Sequence, residues 1–560
     1  MARTVGIGIQ DFGKIIQNNC FYVDKTAFIK EWWENQDDVT LITRPRRFGK
    51  TLAMSMLEHF FSVEYADKCT LFEGLNIWKE EKYRNLQGSY PVIFLSFADV
   101  KETSFANARD KICRIIKSLY DRYSDLQDQG PKQKKFPDIF REISPAMGDS
   151  VASYSLKALS KFLADYYGKK VIILLDEYDT PMQEAYVYGY WDEMAAFIRN
   201  LFNSTFKTNP YMERAVMTGI TRISKESIFS DLNHLEVVSS TSCKYEDSFG
   251  FTEMEVFAAM DEFGLAEKEE VRAWYDGFTF GYTRDIYNPW SIINYLDKQR
   301  FAAYWANTSS NSLVGKLIQE GATETKIVME DLIQGKSFHA SFDEQIVFSQ
   351  LDHNLHAIWS LFLACGYLKV EAYTVDGDSG ECEYTLSLTN KEVRLMFRHM
   401  IDGWFADYTP AYNAFIKALL MDDKKAMNVY MNQTALATFS SFDAGNKPSE
   451  TAEPERFYHG FVLGLIVDLA DRYRITSNRE SGFGRYDVML EPLWDGDPAF
   501  VLEFKVHDAE DEDTLVDTVA AALRQIEEKA YDTELTARGI SKERIRHYGF
   551  AFEGKTVLIG

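Results

Sequence analysis

Between residues 39 and 221 the chain repeats one pattern: a short, almost wholly apolar run, then a longer stretch with helical periodicity. The short runs are Val39–Thr43, Pro91–Phe97, Val171–Leu175 and Ala215–Thr221. Between them lie the helical stretches Thr51–Ser62, Phe105–Tyr123, Ser155–Tyr167 and Trp191–Phe206. A strand with one wet face alternates apolar and polar residues, whereas strands apolar at every position are buried on both faces of a parallel sheet. The order therefore predicts a doubly wound α/β domain with helices on both faces of the sheet, its strands delivering their C-terminal ends to one crevice.

The chemistry-bearing residues fall at those strand ends. Directly after Val39–Thr43 comes Arg44-Pro45-Arg46-Arg47-Phe48-Gly49-Lys50-Thr51, and then a helix. Gly49-Lys50-Thr51 is the end of a P-loop: glycine lets backbone approach phosphate, lysine reaches the β/γ-phosphates, and the threonine hydroxyl can hold Mg²⁺. The helix N-terminus adds free N–H groups. Arg44 stands where the first glycine of the usual motif would be. Val171–Leu175 runs into Asp176-Glu177, the Walker B arrangement, with Asp176 expected on Mg²⁺ and Glu177 on the attacking water. A further run ends in Thr218-Gly219-Ile220-Thr221-Arg222, where Thr221 or Arg222 could sense the γ-phosphate, or Arg222 could pair with a surface acid. Arg44, Arg46 and Arg47 either line the nucleotide's phosphates or make a local nucleic-acid contact, and their place beside the loop favours the former.

Composition limits the partners. Across 560 residues, 85 acids face 61 lysines and arginines, a net charge of −24. That excludes bulk attraction to nucleic acid, so any such binding rests on a local patch. The longest apolar runs, such as Val171–Leu175 and Phe461–Val467, fall short of the ~20 residues that span a bilayer, and the N-terminus has no apolar signal core. Six scattered cysteines form no C-x-x-C pair, as expected of a cytoplasmic protein with neither zinc ribbon nor disulfide scaffold. The segment 251–439 is mainly helical and aromatic, with Asn288-Pro289 as a helix start. Its Trp274, Tyr275, Phe278, Phe280 and Trp290 could stack on bases, an aromatic core being the simpler assignment. Residues 440–454, rich in Ser, Gly, Pro and acid, form the expected linker. The expected organisation is thus 1–250, a nucleotide domain; 251–439, a helical middle region; 440–454, a linker; and 455–560, an α+β domain.

In that last domain Arg485–Leu490 and Ala499–Val506 flank a turn at Asp495-Gly496. Alternation puts Asp487 on one face of the first strand, and Glu503 with Lys505 on the same side of the second. A hairpin would bring the two carboxylates to cross-strand distance, about 4.5–5.5 Å, where they could share Mg²⁺ or Mn²⁺ while Lys505 orients a water. Glu455, heading the preceding helix, is a candidate third carboxylate. Arg538, Lys542, Arg544 and Arg546 are the candidate basic surface, while the acidic run Asp508–Asp513 counts against close DNA approach.

The motifs RPRRFGKT, VIILLDEYDTPM, MTGITRISKESIFSDLN, WYDGFTFG and YNPWSIINYL, with GIQDFGKIIQNNCFYVDKT at the N-terminus, resemble the bacterial AAA-ATPase-like family. In that family an ATPase core precedes a C-terminal domain of the PD-(D/E)XK nuclease superfamily, and the arginine form of the P-loop is usual. Asp487 with Glu503-Phe504-Lys505 matches the D…(D/E)xK signature, and Gln525 and Tyr531 resemble residues of its RecB-like subgroup. The resemblance implies a P-loop NTPase sheet, a helical middle region and a nuclease-like α+β domain. It also implies ATP and Mg²⁺ as cofactors and DNA or another nucleic acid as partner, with a homo-oligomer or protein partner compatible. The alternative is a nucleotide-operated switch whose C-terminal domain is a catalytically inactive nucleic-acid- or protein-binding module.

Overall fold

The computed structural model describes residues 3–560 apart from 125, 127–138, 208, 223–227, 230–231, 307–311, 321–322, 342–350, 352–354, 376–381, 405–408, 443–452, 482–483 and 509–511. Two compact units emerge: Met1–Ser310 with His339–Val393, and Asn311–Phe338 with Arg394–Gly560.

The first unit is built on a parallel sheet of β1 (Val39–Thr43), β2 (Val92–Ser96), β3 (Val171–Asp176), β4 (Met212–Gly219) and β5 (Leu235–Val238), in the order β2-β3-β4-β1-β5. Every residue of β1 and β3 is buried, as their unbroken apolar runs require. Burying one Leu or Ile side chain contributes about 1.5–3 kcal/mol, so these two strands anchor the unit. Helices Lys50–Phe61, Phe105–Arg122, Asp149–Tyr167 and Trp191–Phe202 occupy the expected connections. Strand β5 was not among the expected strands: it is short, lies at the sheet edge and is only partly buried, so it lacks the apolar signature of its neighbours.

The middle region carries helices at Glu253–Phe263, Lys268–Tyr275 and Pro289–Lys298, with two small sheets among them. β6 (Phe251–Thr252), β7 (Phe278–Phe280) and β8 (Thr283–Tyr287) pair in the order β6-β8-β7; β9 (Phe338–Ala340), β10 (Leu368–Val375) and β11 (Cys382–Leu388) in the order β10-β11-β9. Tyr275, Phe278 and Phe280 are buried in the core, while Trp274 and Trp290 are half-buried.

In the second unit β12 (Tyr473–Ser481), β13 (Gly484–Pro492), β14 (Ala499–Val506), β15 (Ile545–Glu553) and β16 (Thr556–Ile559) lie in sequence order. All pairs are antiparallel except β14 with β15, which the helix Leu515–Glu528 connects. The helix Glu453–Leu469 precedes this sheet and ends shortly before Tyr473, where β12 begins. Asn428 and Asn432, one turn apart on the helix Lys424–Phe442, each bond a backbone N–H and C=O of β16, closing that sheet edge. The same helix includes the first residues of the expected linker, whose positions 443–452 lie outside the described residues. Among the described residues no helix is long and apolar enough to cross a membrane, and all six cysteines are free.

Candidate nucleotide and metal sites

Gly49 ends the phosphate loop with φ +83°, a left-handed conformation that glycine adopts without strain, and caps the helix Lys50–Phe61. Lys50 follows, buried, its Nζ 2.9 Å from the carbonyl oxygens of both Arg44 and Pro45. Burial pushes the Lys50 ammonium down, while Glu177 and Asp176 oppose the shift. The Thr51 hydroxyl donates to Asp176 Oδ2 at 2.8 Å, and the Thr218 hydroxyl donates to Oδ1 at 2.5 Å. Asp176 is fully buried at the end of β3, which raises its carboxyl above the ordinary range. Glu177 takes a left-handed φ of +52° and accepts a bond from Thr180. Lys50, Thr51, Glu177 and Thr180 line one side of a cavity of about 510 Å³, together with Arg46, Arg47, Phe48 and Gly49, and Asp176 lies buried behind Thr51. Ile9, Phe21, Val23, Trp290 and Ile293 form its apolar wall. The volume and the mixed lining suit a small organic ligand.

Two residues of the loop point elsewhere than expected. Arg44 was expected on phosphate, yet its guanidinium is completely buried, donating to the carbonyl oxygens of Thr43, Val238 and Ser239 at 2.9, 3.2 and 2.7 Å. It lies over the Phe280 ring at 4.4 Å, and burial pushes it down to about 9. The carbonyls at the open ends of β1 and β5 need donors, and Arg44 supplies them. Phe48 likewise turns its ring inward, 4.7 Å from Phe278 and 5.4 Å from Phe280. A side chain at Gly250 would meet that ring at 3.1 Å, and its φ of +85° also favours glycine. Arg46 donates to Gln183 at 3.3 Å, and Arg47 is exposed with its guanidinium 4.4 Å from the Trp290 ring.

Thr221 is fully buried and bound to Asp179, so its hydroxyl faces the protein interior. Arg222 is half-buried and does not line the cavity. Sequence reasoning passed over Asp179, which accepts from the backbone N–H groups of Ile220 and Thr221 and from Gln183. It pins the exit of β4 to the acidic end of β3. Its place in DEYDTP, two residues after the acid pair, was the available signal. Lys25 lines the cavity too, held by Glu255 at 2.7 Å.

In the second unit the last pair of β13 with β14, Val488↔Leu502, lies next to Asp487 and Glu503 in the chain. Asp487 Oδ2 accepts the Phe504 N–H at 2.7 Å. Glu503 is 3% exposed; its Oε1 accepts from Gln525, and its Oε2 has no hydrogen-bond partner among the described residues. Burial, and then the charge of Asp487, push the Glu503 carboxyl up to about 8. Lys505 donates to Gln525 Oε1 at 2.8 Å, and Gln525 donates to the Tyr531 hydroxyl at 3.1 Å. A buried, unsatisfied carboxylate oxygen beside a second carboxylate fits a hard divalent cation. Among the described residues no group of three or more His, Cys, Asp or Glu gathers as a metal cage, and the Glu455 side chain lies outside the described residues. The expected basic surface is largely engaged. Arg538 pairs with Glu491 and Glu534, Arg544 donates to the Asp497 carbonyl at 2.7 Å, and Arg546 to that of Leu420 at 3.1 Å.

Comparison with known proteins assigns families to the domains that carry these residues. Residues 6–229 match the family model described as a predicted AAA-ATPase, and residues 453–560 match that of the PD-(D/E)XK nuclease superfamily. An uncharacterized protein in the vnfD 5′ region of Azotobacter chroococcum mcd 1 is 25% identical over 555 residues, covering 96% of this chain and 94% of that protein. The solved Aeropyrum pernix ORC2 protein in ADPNP–ADP complexes is 10% identical, covering 67% of this chain and 92% of that one, with a TM-score of 0.23. The chain thus carries a domain of the AAA-ATPase-like family followed by a domain of the PD-(D/E)XK nuclease superfamily.

Proposed function

We propose that this protein binds and hydrolyses ATP at the 44–51 loop, and that its second unit is a metal-dependent nuclease acting on DNA or another nucleic acid. The observation that carries the first half is that Thr51, which lines the cavity beside Lys50 and Glu177, donates its hydroxyl to Asp176 at the end of β3. Lys50 would exchange its two carbonyl acceptors for phosphate oxygens, Thr51 and Asp176 would hold Mg²⁺, and Glu177 would orient the attacking water. Arg46 faces the phosphates from the loop, and the apolar wall receives the base.

In the second unit Asp487 and Glu503 would hold Mg²⁺ or Mn²⁺, which when bound polarises a phosphodiester and acidifies a water. Lys505, aligned by Gln525, orients that water. A nucleotide-operated switch with an inactive C-terminal module is the second reading, favoured by the engagement of Arg538, Arg544 and Arg546 within the protein. The deciding experiment measures ATP hydrolysis and DNA cleavage by pure protein, each with and without Mg²⁺ or Mn²⁺. Cleavage unchanged in the Asp487→Ala, Glu503→Ala double variant overturns the nuclease half; turnover retained after loss of Lys50 and Glu177 overturns the ATPase half.

A further inference from the structure

A phosphate loop must keep its shape while its lysine changes partners, and here most of the loop's own bonds depend on that lysine. The carbonyls of Arg44 and Pro45 are both held by Lys50 Nζ, at 2.9 Å each. When Lys50 turns to a phosphate those two bonds are lost. The bonds that persist come from outside the loop. Gly250 N–H donates to the Phe48 carbonyl at 3.4 Å, and Asn288 Nδ2 donates to the Arg46 carbonyl at 3.2 Å.

Asn288 is buried, 1% exposed, and lies at the start of the helix Pro289–Lys298. Its Oδ1 accepts from the backbone of Trp290 at 2.9 Å and of Ser291 at 3.4 Å, the ordinary work of a helix N-cap. Capping needs only an acceptor, for which Ser or Asp serves as well. An amide is needed because the other half of the side chain donates. Next along the helix, the Trp290 ring lies under the Arg47 guanidinium at 4.4 Å, so one helical turn meets two successive loop residues. Arg47 itself has φ +65°, a conformation an arginine adopts only when its surroundings impose it.

We propose that Asn288 is a positioning residue for the phosphate loop. Through the Arg46 carbonyl it fixes the Arg46–Arg47 peptide in the conformation that receives phosphate. Nucleotide affinity is then set partly by the middle region, through the helix Pro289–Lys298. The proposal rests on the assignment of residues 44–51 to nucleotide binding, and its test separates the two.

The variants are Asn288→Asp, which keeps the capping acceptor and loses the donor, and Asn288→Ser, which caps without charge and is too short to reach Arg46. Asn288→Ala removes both bonds. Equilibrium binding of a fluorescent ATP analogue and hydrogen exchange of peptides covering 44–50 and 289–298 are measured on the full chain. The Ser variant should keep helix protection, and in both variants loop exchange should accelerate and analogue affinity fall about 3- to 10-fold, the effect of one lost hydrogen bond, with the affinity loss in the uncharged Ser variant exceeding what its midpoint change accounts for. In turnover the deficit should fall on KM rather than kcat. Loop exchange and affinity equal to the parent's in both variants overturn the proposal, as does a loss that merely tracks a falling midpoint. If the parent itself binds no analogue, the nucleotide assignment fails, and the exchange comparison still decides whether Asn288 shapes the loop.

Discussion

The Thr51 hydroxyl lies 2.8 Å from Asp176 Oδ2, joining the first turn after the phosphate loop to the last residue of β3. Two motifs separated by more than a hundred residues thereby share one oxygen. If that oxygen helps hold Mg²⁺, Thr51→Val should lower Mg²⁺-dependent turnover at least 10-fold while leaving analogue binding in EDTA near the parent's. Glu177→Gln should bind ATP and turn it over about 10²–10⁴-fold more slowly, the usual contribution of a positioned base. Steady-state hydrolysis alongside equilibrium binding checks both, and a Glu177→Gln enzyme at full rate would remove Glu177 from the chemistry.

Arg44 calls for a stability measurement rather than a kinetic one. Its guanidinium is buried against the carbonyls of Thr43, Val238, Ser239 and Tyr245, with Phe280 across its face. Arg44→Ala strands those acceptors and opens a cavity, so the first unit should lose about 3 kcal/mol. Arg44→Lys supplies fewer donors without the planar fork and should recover only part of that. Calorimetry on both variants tests the assignment, and an unshifted transition would return Arg44 to the phosphate site.

The candidate nucleotide site is legible where it is local. A strand, a Gly-Lys-Thr and a helix follow one another directly, as do β3 and its two acids, so period and spacing sufficed. The Asp487–Glu503 juxtaposition was legible too, because hairpin alternation fixes which face each residue takes. What could not be read were side chains whose partners lie far off in the chain. Arg44 beside a phosphate motif looks like a phosphate ligand until Val238 and Ser239 bring it their carbonyls. Phe48 looks like a nucleotide-contacting residue of the loop until Phe278 and Phe280 enclose its ring. Asn288 displays its capping role in sequence, but its bond to Arg46 appears only once the middle region has folded onto the loop.

Glu392 gives the first unit a pH dependence. The carboxylate is fully buried, accepting from the Ser291 hydroxyl at 2.7 Å and the Trp305 N–H at 2.5 Å. Burial pushes it up to about 7 from the ordinary 4.5, against the pull of those bonds. Between those values the folded chain holds a proton that the unfolded chain has released, so stability falls as pH rises from 4.5 to 7 and this group adds nothing further above it. At about 1.4 kcal/mol per unit the loss is of the order of 3 kcal/mol. Glu392→Gln should therefore lose less thermal stability than the parent between pH 5 and pH 8. Parallel profiles would place the titration elsewhere.

Glu503 allows a sharper test, because its two roles predict opposite signs. Without metal its Oε2 is buried and unpartnered among the described residues, and Asp487 adds like charge. Near pH 8 and above, where Glu503 ionises, Glu503→Gln should raise the thermal midpoint of the metal-free protein, by relief of about 1–3 kcal/mol. Mn²⁺ should then stabilise the parent and leave both Glu503→Gln and Asp487→Asn unmoved. A structural carboxylate would do the reverse: the glutamine variant would be weaker at rest, and Mn²⁺ would distinguish neither. Thermal melts at pH 8 across a Mn²⁺ titration measure both signs in one experiment, independently of DNA cleavage. Parallel Mn²⁺ shifts in the parent and the variants would take the metal away from this pair.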